Sequence, residues 1–270
     1  MQFHERLRHC GRVFLAFFQA SLAARLTDRG DFLIGTFSIA LHQGLGVAFL
    51  ATVFQHIPQL SGWSFSQVLF VFGAFQVVTG LFYFLFSWTL WFSDVYLISR
   101  RLDALLCRPA PVFLQIVAEG AGKSIAELPG IVFGIVILLV ATGGMSTRIP
   151  LSSAVMFAVL LVAGVAILGG LFTLLALSSF WFRATRSAGE PLLSILDFAQ
   201  YPLPIYSRWL RVVFTFVIPL GFVAYWPSAW VLGIAPASIV ALTFGWALAL
   251  WTVVALIWRR GLRRYESAGS

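Results

Sequence analysis

Charge is scarce in this sequence. Lysine, arginine, aspartate and glutamate make up only 10% of its 270 residues, whereas 60% are apolar. An ordinary soluble domain is about a quarter charged, so this composition and the mean hydropathy of +0.93 exclude a soluble globule. Long apolar stretches instead predict an all-α integral membrane protein, because lipid offers no partner for backbone N–H and C=O groups.

The usual signatures of chemistry are also lacking. The four histidines have no metal-ligand spacing, and no Gly-x-Ser-x-Gly elbow occurs. We therefore expect no catalytic, cofactor-binding or metal site, and an integral-membrane enzyme ranks last. The only cysteines, Cys10 and Cys107, lie on segments predicted to be cytoplasmic, which argues against a structural disulfide. The first thirty residues carry five arginines and no long apolar core, so no cleavable signal peptide is expected.

The arginines cluster between alternate apolar stretches. Apolar spans are predicted at about 33–54, 65–92, 112–141, 152–182 and 237–258. Fourteen of the eighteen lysines and arginines fall on one side of them: five before the first span, three in the loop 93–112, two after the fourth span and four after the last. This excess predicts that both termini are cytoplasmic and that the number of spans is even, with six as the best count. The net charge of +8 forms no continuous basic face, so no nucleic acid is expected as partner.

The remaining crossing must lie within residues 187–236. Val212–Tyr225 is apolar but has only fourteen residues, and Pro219 interrupts it, which favours a re-entrant segment. The other candidate, about 188–205, carries Glu190 and Asp197. Although Arg208 and Arg211 argue mildly against it, we favour this earlier span, followed by a re-entrant pair on the outer face. The two acids then line a pathway or pair with nearby arginines; otherwise they lie in a wet loop.

Three parts of the chain are distinguished. Residues 1–30 are amphipathic and predict a helix that either lies in the membrane interface or packs on the rest of the protein. Residues 31–258 form one six-helix transmembrane domain, and residues 259–270 form a basic cytoplasmic tail. Within the third predicted span, Glu119, Lys123 and Glu127 are spaced four apart, which predicts a ladder of ion pairs on one helix face. The run Gly120–Ser124 ends like a phosphate-binding loop but lacks its first glycine.

The loop Arg100–Pro111 predicts a short amphipathic helix. Leu102, Leu105 and Leu106 share one predicted face and Pro109 ends the helix. Its polar handles are Arg100, Arg101, Asp103 and Arg108. Such a helix suits docking by a partner protein, or it lies on lipid headgroups.

The order of these motifs resembles the ABC-2 type permeases, in the branch of bacterial permeases of about 260 residues. The resemblance rests on the six spans, on Leu102–Pro109 and on three later runs: Phe198–Tyr206, Phe216–Pro219 and Tyr225–Pro227. It implies a permease subunit of an exporter in the bacterial inner membrane, paired with an identical or related permease. It also implies separate ATPase subunits, which bind ATP and Mg²⁺ and grip the loop helix. The alternative is a proton-coupled secondary transporter that uses Glu190 and Asp197.

Overall fold

The computed structural model describes residues 2–26, 29–145, 149–182 and 186–265, and the side chains in these ranges other than those of 2–10, 24–26, 29, 31 and 186–190. The described chain is helical, and its one strand-like pairing is a bridge between Leu60 and Trp63. This confirms the predicted all-α class. The helices are α1 (Gln2–Leu26), α2 (Arg29–His56), α3 (Phe65–Phe86), α4 (Arg101–Leu106), α5 (Val112–Lys123), α6 (Leu128–Gly143), α7 (Leu151–Leu177), α8 (Arg186–Leu196), α9 (Arg208–Phe216), α10 (Tyr225–Val231) and α11 (Ser238–Arg264).

Five helical stretches are long and apolar enough to cross a membrane. They begin and end within about a helical turn of the predicted bounds, except in the third span and at the C-terminus of the last span. The third was expected to run unbroken from about residue 112, but the structure interrupts it at Ser124, between α5 and α6. Pro129, the second residue of α6, has no N–H to continue a helix from α5. The five stretches that are long and apolar enough to cross a membrane are Phe32–His56, Phe65–Trp91, Ile125–Gly143, Leu151–Phe180 and Ser238–Arg264.

Helix α3 is the centre of the bundle. Most of its side chains are buried, because α2, α6 and α7 surround it. It runs antiparallel to α6, where Gly134 lies directly against the backbone of Val77. It runs parallel to α7, with ring centroids 5.1 Å apart for Phe70 and Phe157.

Helices α7 and α11 are parallel neighbours. The indole Nε1 of Trp251 donates to the carbonyl of Ala166 at 2.9 Å, and the rings of Phe180 and Trp258 lie 6.2 Å apart near the ends of the two stretches. The C-terminal ends of both helices therefore lie at the same end of the bundle. We call it the basic end, since α11 carries Arg263 and Arg264 in its last turn there. The opposite end is the far end.

Because α7 and α11 run in the same direction, the chain between them has to return from the basic end to the far end. It does so in short pieces: α8 contacts the turn Ser87–Trp91 at the basic end, while the ring of Tyr225 lies 5.7 Å from that of Trp63, in the α2–α3 turn at the far end. Arg208 and Arg211 line a far-end cavity together with Ser238, the first residue of α11.

Candidate docking site at the basic end of the bundle

The predicted loop helix is present as α4 with its leucines on one side, but the bundle covers only part of that face. Leu102 is fully buried and Leu105 is 2% exposed, whereas Leu106 is 45% exposed. Burial is uneven because successive side chains are 100° apart on a helix, so the three leucines span an arc of about 100°. Leu105 and Leu106 flank Leu102 on opposite sides, and the bundle covers only the first of these sides. The apolar face of α4 therefore anchors the loop to its own protein.

A buried carboxylate ties α4 to α5. The side chain of Glu119 is 3% exposed and accepts from Arg101 through two atoms, with Nη2–Oε1 at 2.9 Å and Nε–Oε2 at 3.2 Å. Its Oε1 also pairs with the ammonium of Lys123 at 2.5 Å, and both cations are about half exposed. A bidentate arginine–carboxylate pair fixes the relative orientation of the two side chains and also contributes binding energy. Glu119 therefore sets the position of α4 on α5.

The predicted ladder of Glu119, Lys123 and Glu127 is thus wrong at its last step. Helix α5 ends at Lys123, and Glu127 lies at the end of a separate 3₁₀ turn, Ile125–Glu127. No ion pair joins Glu127 to Lys123 within the described structure. The interruption rotates Glu127 away from the α5 face, and its side chain lines a cavity between α2 and α3.

Gln115 and Arg108 make further contacts that join the loop to α1 and α5. The fully buried side chain of Gln115 donates from Nε2 to the carbonyl of Ala110 at 2.9 Å and to that of Leu105 at 3.2 Å. The guanidinium of Arg108 lies 4.9 Å from the ring centroid of Phe17 on α1, a cation–π contact. Helices α1, α4 and α5 therefore form one unit, which we call the loop block.

The glycines of the Gly120–Ser124 run serve close packing within this block. A Cβ on Gly122 would lie 2.7 Å from the carbonyl oxygen of Phe18, and one on Gly120 would lie 3.1 Å from the ring of Trp88. Both values are shorter than ordinary contacts. The run resembling a phosphate-binding loop thus lies against α1 on one side and against the turn after α3 on the other.

Aromatic rings join the loop block to the ends of the long helices. Phe113 of α5 contacts Trp88 at 5.6 Å and Trp258 of α11 at 5.5 Å between centroids. Phe92 lies 5.6 Å from Phe180, at the end of the α7 stretch. Since these large side chains are close-packed, a displacement of α5 has to be accommodated by α7 and α11.

The side chain of Asp103 points inward, although the sequence predicted that it contacts a partner protein. Its carboxyl group interacts with the hydroxyl of Tyr265, which follows α11; burial first, and then this hydrogen bond, raise the pKa of Tyr265. One carboxyl oxygen, Oδ1, is buried with no partner among the described residues. Burial also raises the pKa of Tyr96, helped by the charge of Glu119 and opposed by Arg101. These buried polar groups make the block sensitive to small changes in packing.

What remains exposed is a compact basic edge. We call it the loop rim, and it combines positive charge with one large apolar side chain. It consists of Arg100, Leu106, Cys107, Arg108 and Pro109. An exposed leucine among cations suits a partner surface with an apolar pocket and acidic surroundings.

Arg100 is held in a left-handed backbone conformation, with φ of 58° and ψ of 21°, immediately before α4. A side chain with a Cβ atom costs about 1 kcal/mol there. We expect Arg100→Gly to raise the melting temperature of the purified chain relative to Arg100→Ala, which removes the same charge but keeps the Cβ. Equal melting temperatures for the two variants would contradict the strained geometry.

The remaining predicted polar residues lie apart from the loop rim. Glu127 and Asp197 line the same cavity, and Glu190 belongs to α8 but its side chain falls outside the described residues. The buried glutamines Gln43, Gln76 and Gln115 were not among the predicted site residues. An amide side chain inside an apolar span was the signal available for the first two.

The comparisons with known proteins agree with this architecture. No curated protein matched the chain. A family model described as "ABC-2 family transporter protein" matches residues 41–269, which covers all five membrane-spanning stretches except the start of the first. The chain is therefore a multi-pass membrane protein that belongs to the ABC-2 transporter family.

Proposed function

We propose that this chain is the permease subunit of an ATP-binding cassette exporter in the bacterial inner membrane. Hydrolysis of ATP, with its Mg²⁺, takes place on separate ATPase subunits. The observation that supports this most directly is the loop block: a short helix fixed rigidly to α5, with a basic rim turned outward. Membership of the ABC-2 family supports association with such ATPases.

In this proposal the protein crosses the membrane six times, with both termini in the cytoplasm at the basic end. The parallel course of α7 and α11 supports this count, because the segment between them must return across the bundle. The broken stretch from α8 to Ile205 makes that crossing. The two following helices, α9 and α10, then dip from the far end as a re-entrant pair. The far-end position of Arg208 and Arg211 follows from this path.

Force is transmitted through contacts already described. The ATPase binds the loop rim, and its closure displaces α4. The Arg101–Glu119 pair and the Gln115 hydrogen bonds carry that displacement to α5. The rings of Phe113 and Trp258 pass it to α11. A rigid connection of this kind converts a small movement at one end into a shift of whole helices.

A second permease, identical or related, completes the path, and α2 offers a surface for it. This helix exposes an apolar side chain at every fourth position, which makes one continuous stripe. In the assembly, the partner permease and lipid cover that stripe. The stripe consists of Leu33, Phe37, Leu41, Leu45 and Phe49.

The proposal is tested by reconstituting the chain in liposomes with a candidate ABC ATPase from its gene neighbourhood. We expect the chain to co-purify with that ATPase and to increase its rate of ATP hydrolysis. Transport that continues after ATP is depleted, but stops when the proton gradient collapses, would instead favour the proton-coupled transporter.

A further inference from the structure

A polar cavity lies inside the bundle, away from the loop rim. Its volume is about 280 Å³, close to the lower end of small-molecule sites at about 300 Å³. Gln43, on its wall, is eleven residues from Phe32 at the start of the first span, which places it about 16 Å inside. The walls combine α2, α3, the start of α6 and the return segment. The polar side chains among them are Ser38, His42, Gln43, Gln76, Thr79, Tyr83, Glu127 and Asp197.

Two buried amides on these walls are incompletely paired. Gln43 is 7% exposed and donates from Nε2 to the carbonyl of Gly130 at 3.0 Å, yet its Oε1 has no partner among the described residues. Gln76 is 5% exposed, and its Nε2 likewise has none there. A buried polar atom without a hydrogen bond is costly. A polar ligand or water in this cavity would supply the missing partners of both amides.

The charge of the cavity identifies the ligand's sign. The walls carry the carboxyl groups of Glu127 and Asp197, and none of the described lining residues is a lysine or arginine. Among the described lining residues, His42 is the one whose side chain, an imidazole, can become cationic. Glu127 is half-buried and Asp197 is exposed, and a carboxylate on the cavity wall attracts an approaching cation. Phe75, Tyr83 and Leu193 add aromatic and apolar surface for an uncharged part.

We propose that this cavity binds a protonated primary amine attached to an apolar body. The ammonium donates to Glu127, Asp197 and Oε1 of Gln43, while the apolar part lies against Phe75. The inference deepens the proposed function by naming its substrate class and rests on it in that respect, but the binding itself needs no ATPase. The ammonium belongs either to a free amine or to the headgroup of phosphatidylethanolamine.

Calorimetric titration of the full chain, in nanodiscs of phosphatidylcholine, tests the proposal. The probes are phenylbutylamine and its neutral counterpart phenylbutanol. We expect the amine to bind about tenfold more tightly, the usual effect of a hydrogen bond to a charged group. Glu127→Gln and Asp197→Asn should remove that preference while binding of the alcohol stays unchanged, which shows that the cavity is intact. Asp94→Asn, the same change of acid to amide outside the cavity, should keep the preference.

Equal affinity for amine and alcohol, or a preference that survives both cavity variants, would overturn the proposal and leave a cavity that holds only water. Nanodiscs that contain phosphatidylethanolamine then separate the two sources. Weaker amine binding there supports the lipid headgroup as the ligand, and unchanged binding supports a free amine. Failure of this test leaves co-purification with the ATPase untouched, so the two proposals fail independently.

Discussion

Replacing Gly134 by leucine is expected to destabilise the bundle by about 3 kcal/mol or more. A Cβ at this position lies 3.0 Å from the backbone nitrogen of Val77 and 3.1 Å from Cβ of Gln76, so the longer side chain has no room without separating α3 from α6. Small residues are what allow membrane helices to approach this closely. The measurement is the melting temperature of the purified chain in detergent.

Gly245 provides the matched control. It lies within the last span, and a Cβ there would meet nothing within 4 Å. Gly245→Leu should therefore melt close to the unmodified protein, and Gly134→Ala should fall between the two leucine variants. A Gly134→Leu variant as stable as Gly245→Leu would contradict the described contact between α3 and α6.

Replacing Leu106 by aspartate is expected to weaken binding of the ATPase strongly while the permease still folds. Leu106 is 45% exposed on a rim of cations, so the change costs the fold little but removes the apolar anchor of the interface. Loss of such an anchor weakens binding by about 2 kcal/mol or more, which is about thirtyfold in Kd. Pull-down of the ATPase by the tagged permease measures the effect.

Leu151→Asp is the control for this variant. Leu151 is 80% exposed at the start of α7, at the far end, so binding of the ATPase should be unchanged. Leu105→Asp should behave differently from both: a charge at a position only 2% exposed should lower the melting temperature as well. If Leu106→Asp binds the ATPase as tightly as Leu151→Asp does, the loop rim is not part of the ATPase interface.

Hydropathy was enough to locate the five long apolar stretches, because each of them has to satisfy its backbone groups within itself. It could not predict the interruption at Ser124 or the path of the return segment. That path follows from the tertiary contacts of α7 with α11 and of Tyr225 with Trp63. Pro191, Pro202 and Pro204 break this stretch. It therefore contains no continuous apolar helix from which hydropathy could predict the path.

The loop helix could be predicted in its position but not in its orientation. Spacing alone treats Leu102, Leu105 and Leu106 alike, whereas burial depends on which side of α4 the bundle covers. Partners also depend on the fold: the sequence placed Lys123 beside Glu119, four residues away, but Arg101 reaches the same carboxylate from the preceding helix. The pairing of Asp103 with Tyr265 joins residues that are distant in the chain, and local spacing carries no signal for it.

Docking of an ATPase on the loop rim can be measured at Cys107. This thiol is exposed and lies next to Leu106, and Cys10 is the only other cysteine in the sequence. In a Cys10→Ser background, the rate of maleimide modification of Cys107 is measured with and without the ATPase. We expect bound ATPase to slow this reaction several-fold and Leu106→Asp to restore the original rate. An unchanged rate while the ATPase remains bound to the permease would contradict docking on the loop rim.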